Sequence, residues 1–185
     1  ILTLCEQNLS LVDTVLALEL MAQRPDRGVM RADRRLSCLL VRLCGLLAEA
    51  SAKHCLDTLA AAVSLDLRSV PLLEALGTRT RHHLDQLEVP QLVLCVSQFA
   101  GLGYSDVSFF DAVGEQCLKR HSALSASQVV RIVESFNVAH LHNWDMVDEF
   151  ALQIAPQLEG LSTEELVKCF EAFIVQNALL GYFVQ

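Results

Sequence analysis

Leu87-Glu88-Val89-Pro90-Gln91-Leu92, Leu124-Ser125-Ala126-Ser127-Gln128-Val129 and Leu161-Ser162-Thr163-Glu164-Glu165-Leu166 are three versions of one opening. They begin at positions 87, 124 and 161, 37 residues apart each time and without a gap. A fixed period of this length marks helical hairpins that stack, each leaving an apolar face that only a neighbour covers. Five, nine and twelve places after the openings stand Leu92, Val96 and Phe99, then Val129, Val133 and Phe136, then Leu166, Phe170 and Phe173. Residues three and four apart share one side of a helix, so these positions make a single buried face. The aromatics at the last place are expected to hold each helix against the next hairpin. Ser125 with Gln128, and Ser162 with Glu165, are capping boxes that fix two of the helix starts.

Stepping the register back to position 50 places Cys55, Leu59 and Ala62 on the same face, and Leu72, Leu73 and Leu76 match Phe109, Phe110 and Val113. Helices are expected at about 52–65, 70–84, 90–100 and 107–120. Ser69-Val70-Pro71 starts the second of these, and Gly101-Leu102-Gly103 ends the third in a left-handed cap. In the fourth hairpin Trp144, Met146, Val147, Phe150 and Ile154 are expected to form the buried face of the second helix. One period earlier still, Pro25 would stand where Phe99 stands. The first hairpin, with helices at 5–22 and 33–50, is then either a degenerate unit with a longer loop or a different element. Leu9, Val12, Val15, Leu16, Leu18 and Met21 are its expected apolar stripe. Residues 1–49 are thus set apart from a repeat array over 50–185, with units opening at 50, 87, 124 and 161 and the last incomplete, an excerpt of a longer chain.

Composition agrees with a helical stack. Of 185 residues 52% are hydrophobic and 19% charged, with four prolines and eight glycines. No apolar run reaches the roughly 18 residues a membrane span needs. Residues 1–87 hold ten basic and ten acidic side chains, whereas residues 88–185 hold four and twelve, so the net charge of −8 lies in the second half. Nucleic-acid affinity rests on neutralising phosphates, which makes that half a surface for protein rather than RNA. The seven cysteines, Cys5, Cys38, Cys44, Cys55, Cys95, Cys117 and Cys169, are odd in number and contain no Cys-x-x-Cys pair. Buried reduced thiols and a reducing compartment are expected.

The basic exception is the segment between the first two helices. Arg24, Arg27, Arg31, Arg34 and Arg35 are opposed there only by Asp26 and Asp33. Arginine forks match phosphate geometry, so these five are the candidate RNA-phosphate contacts, against a solvated connection as the plainer role. His140 and His142 lack the spacing of a helical zinc pair, and Arg79, Arg81, His82 and His83 form a local basic patch. Asp145, Asp148 and Glu149 complement a helix N-terminus. No catalytic residue, metal site or cofactor is expected.

The pattern of Leu-Ser openings, then Gln98-Phe99-Ala100-Gly101-Leu102-Gly103-Tyr104, then a second helix opening on bulky apolar residues, resembles a known family. It is similar to the heptatricopeptide and octotricopeptide repeats of organelle RNA-metabolism proteins, including RAP-domain and FAST-kinase-like proteins. The resemblance covers about 135 residues and is clearest over Leu87–Ala123. It departs where Gly103 is replaced by Asp66, His140 and Asn177. It implies an all-α, right-handed α-solenoid of stacked helical hairpins with a 37-residue repeat. It also implies mitochondrial or plastid location and first helices lining a concave surface, where Gln91, Gln128, Arg131 and Lys168 are the candidate RNA contacts. Capping and solvation are the plainer roles for these four.

The expected function is a structural subunit of an organelle ribonucleoprotein, with the mitochondrial ribosome as the leading example. Its partners would be other proteins of the complex, with rRNA or organelle mRNA as a second ligand. A sequence-specific RNA-binding factor for organelle transcripts is the first alternative. A protein-only scaffold or accessory subunit of a respiratory complex is the second.

Overall fold

The computed structural model describes residues 9–26, Gly28 and residues 33–176. Among these residues the chain is helical, without strands. It folds as two compact units, Ile1–Gln86 and Leu87–Gln185.

In the N-terminal unit, α1 (Leu11–Ala22), α2 (Arg34–Leu46), α3 (Ala52–Ser64) and α4 (Val70–Arg81) form two hairpins. α1 packs on α3, and α2 on α4, while each hairpin also closes on itself, giving two layers of helices. Ser10 caps α1 in a reciprocal box with Asp13, and Asp33 caps α2. The apolar stripe of α1 is narrower than its composition implies. Val15, Leu18 and Met21 are buried, but Val12 and Leu16 are 57% and 50% exposed. Thr14 takes the buried place instead, because its hydroxyl donates to the Ser10 carbonyl at 2.7 Å and is itself satisfied there.

The C-terminal unit contains α5 (Val89–Gly101), α6 (Val107–Lys119), α7 (Ala126–Val138), α8 (Trp144–Ile154) and α9 (Thr163–Val175). α7 lies between α5 and α9 in one layer, and α6 packs on α8 in the other. Phe99, Phe136 and Phe173 are all buried, as expected. Phe99 meets Tyr104 and Phe109 at centroid distances of 5.1 and 4.6 Å, and Phe110 meets Phe136 edge-on at 5.1 Å, joining one hairpin to the next. Each fully buried phenylalanine contributes about 1.5–3 kcal/mol of transfer free energy. Trp144 departs from expectation. It stands at the first position of α8, outside the buried row of Met146, Val147, Phe150 and Ile154, and is 50% exposed.

Helix starts recur along the chain. α3, α5, α7 and α9 begin at Ala52, Val89, Ala126 and Thr163, and α4, α6 and α8 at Val70, Val107 and Trp144, each 37 residues after the last. Three of the first helices end in the same turn. Asp66, Gly103 and His140 take positive φ values of 49°, 84° and 57°. In each turn the next amide, from Leu67, Tyr104 or Leu141, donates back to the carbonyl of Ala62, Phe99 or Phe136. This is the Schellman arrangement, which satisfies carbonyls that a helix end leaves open. His140 therefore keeps the backbone of Gly103 rather than breaking the pattern.

A second recurring bond closes the hairpins. Arg42 on α2 donates to the carbonyl of Leu9, just before α1, at 2.8 and 3.1 Å. Arg79 on α4 donates to Ala50 at 2.6 Å, with His83 Nε2 3.0 Å from the same oxygen. Arg120, at the end of α6, donates to Leu87, and Gln153 on α8 donates to Leu124 at 3.0 Å. Arg42, Arg79 and Gln153 stand at equivalent places, and Arg120 acts from one helical turn later. Arg79 and His83 thus serve as an internal latch rather than a basic surface patch. Eleven residues, 23–33, lie between α1 and α2, whereas five separate the helices of each of the next three hairpins. The first hairpin has the same latch, with its added length in the arginine segment.

Candidate functional site

Three surfaces carry the side chains with chemistry to offer. The first is the arginine segment. Arg24 forms a two-point pair with Asp26, Nε to Oδ1 at 2.8 Å and Nη2 to Oδ2 at 3.0 Å. Arg35 pairs with Asp33 in the same way, with its closest approach at 2.7 Å. Hydrogen bonds from Arg35 hold the Asp33 carboxyl down at about 2, and those from Arg24 hold Asp26 below the usual carboxylate range. Both aspartates are therefore ionised at neutral pH and engage the Nε and Nη2 edge of each exposed fork. Arg34 is exposed. Arg27 and Arg31 lie outside the described residues.

The second surface is the exposed side of the first helices. Gln91 Oε1 accepts from the Glu88 amide at 3.0 Å, and Gln128 Oε1 from the Ser125 amide at 2.9 Å. Both side chains are helix-capping groups, the plainer of the two roles considered for them. Arg131 and Lys168 come together along one groove of about 350 Å³ between α7 and α9. Glu134 and Glu165 line it too, so its charges balance. Lys168 Nζ lies 2.8 Å from Glu164 Oε1, and Glu165 is held by the amide and hydroxyl of Ser162 at 2.9 and 2.7 Å.

The third surface was not legible as one in the sequence. Trp144 stacks on His142, ring centroids 5.4 Å apart and planes 7° from parallel. His142 Nδ1 lies 2.9 Å from Gln176 Oε1. Gln176 is fully buried, and its Nε2 donates to Asn137 Oδ1 at 2.6 Å and to the Leu141 carbonyl at 2.9 Å. The exposed indole thus rests against a ring that is tied to a buried hydrogen-bond network. Val70 and Val107 stand exposed at the equivalent first positions of α4 and α6, and that shared place was the available signal.

No protein-family model matches this chain, and no curated protein matches it.

Among the described residues, no three His, Cys, Asp or Glu side chains gather as metal ligands. None of the described helices is long and apolar enough to cross a membrane. Cys55, Cys95, Cys117 and Cys169 are buried thiols, whereas Cys38 is exposed and Cys44 half-buried. Cys5 lies outside the described residues. Burial pushes the Cys117 thiol up to about 12, so it stays protonated and inert at neutral pH. Among the described side chains of these surfaces, Arg24, Arg35 and Lys168 pair with carboxylates, and Gln91 and Gln128 are used in helix caps.

Proposed function

We propose that this chain is a structural helical-repeat subunit of an organelle ribonucleoprotein, such as the mitochondrial ribosome, and that it docks chiefly on protein. In this proposal the hairpins form a right-handed α-solenoid with a 37-residue repeat, of the heptatricopeptide or octotricopeptide kind. The regular helix starts, the recurring Schellman turns and the recurring latches support that architecture. One observation carries the functional part. Arg24, Arg35, Lys168, Gln91 and Gln128, five of the side chains most suited to RNA, already hold partners within the chain.

Sequence-specific RNA binding is the second reading, favoured by the meeting of Arg131 and Lys168 along one groove. Binding of labelled single-stranded RNA across a salt series separates the two. A structural subunit gives weak binding without sequence preference, lost by physiological salt. Tight, sequence-selective binding with a steep salt slope overturns the structural assignment in favour of the RNA-binding factor.

A further inference from the structure

We propose that the outward face of α6 and α8 docks a basic amphipathic segment of a protein partner, with Trp144 as its anchor. Trp144, Asp148 and Leu152 follow one another at four-residue spacing along α8, and Val107, Asp111 and Glu115 do the same along α6. All six are exposed, Leu152 by 49% and Val107 by 57%. The two helices pack side by side, which sets their axes about 8–10 Å apart and makes the two rows neighbours. Single exposed hydrophobics are ordinary. Here three lie on two adjacent rows, with carboxylates between them.

Trp144 has the character of a binding hot spot. It is large and half-exposed, and it stacks on His142, which is bonded to the buried Gln176. A ring already stacked before binding loses less entropy on contact, and buried tryptophans dominate many interfaces. Charge identifies the occupant. Asp111 and Asp148 occupy the middle of the rows, and Asp145 follows the tryptophan. Glu115 is met by Lys119 at 3.8 Å. Carboxylates repel phosphate, which disfavours RNA here. A lysine or arginine instead gains both an acidic partner and the indole face, and Trp is the strongest ring for a cation. Apolar residues at helical spacing in the same segment would meet Val107 and Leu152.

The proposal rests on the protein-docking assignment above, but the two fail separately, since one is read with RNA and the other with peptide. The chain has a single tryptophan, so its emission reports this surface directly. The probe is a short amphipathic helical peptide of leucine, lysine and arginine, compared with the same peptide carrying glutamate at each basic place. Saturable blue-shifted emission with the basic peptide alone is expected. Asp111→Asn combined with Asp148→Asn should weaken binding about tenfold. Glu134→Gln combined with Glu171→Gln, both exposed and on α7 and α9 in the other layer, should leave it unchanged. Trp144→Ala, followed by anisotropy of labelled peptide, should lose most of the affinity. Equal losses in the two carboxylate pairs would mean unspecific attraction and overturn the proposal. So would undiminished binding by Trp144→Ala, or an equal emission shift with the glutamate-substituted peptide.

Discussion

Gly114 sits inside α6, where a glycine ordinarily costs about 1 kcal/mol against alanine, and its neighbour explains it. A Cβ there would stand 2.7 Å from Asn143 Nδ2. Asn143 cannot simply move aside, because its Oδ1 caps α8 through the Met146 amide at 3.1 Å. Gly114→Ala is therefore expected to destabilise the fold by about 1–2 kcal/mol, as an overpacked contact and a lost cap together imply. Chemical denaturation checks this, and an unchanged midpoint would refute the contact. Cys117 offers a pH signature. Its folded thiol is pushed up to about 12 from an ordinary value of 9.0, chiefly by burial. A raised value means the unfolded chain gives up its proton first, so this contribution is intact below pH 9 and declines toward pH 12. The decline is at most about 1.4 kcal/mol per pH unit. Cys117→Val should flatten the alkaline loss of stability relative to the parent, measured by denaturation between pH 8 and 10.

At the scale of elements, a helix start is written mainly in its own sequence, whereas a hairpin closure is not. Ser125 with Gln128, and Ser162 with Glu165, announce α7 and α9 through side chains three residues apart, and both boxes form. The latches give no comparable signal. Their acceptor is a main-chain carbonyl, which every residue has, and their donors are Arg42, Arg79, Arg120 and Gln153 at two different distances from the opening. Periodicity also overstated the core. Trp144 and Val12 are apolar and near the helical phase, yet each lies on the outer side of its helix. Gln153→Ala tests whether the latch matters. It removes bonds to both His121 and Leu124, at 2.8 and 3.0 Å, and leaves two part-buried carbonyls without that donor. A loss of about 1–3 kcal/mol is expected, with α8 amides exchanging faster than those of α5. Uniform exchange across both helices would count against a local closure.

For the whole molecule, charge separates what is regular from what is not. The half from residue 88 onward carries twelve acidic and four basic side chains, while the five clustered arginines all lie in the half before it. The register was legible because it is a pattern among many residues. Site assignments were not, because whether an arginine is available depends on one neighbour, such as Asp26 or Asp33. Replacing Arg24, Arg27, Arg31, Arg34 and Arg35 together with alanine is expected to reduce co-sedimentation with the ribonucleoprotein several-fold at low salt, with the difference from the parent narrowing at higher salt. Undiminished co-sedimentation would place the anchor elsewhere. The carbonyl-anchored latch also bears on sequence tolerance. A hairpin closed in this way needs only one long polar donor near the end of its second helix, while the residue just before its first helix can be Leu9, Ala50, Leu87 or Leu124. Hairpins held together in this way can differ widely in sequence and keep the same closure.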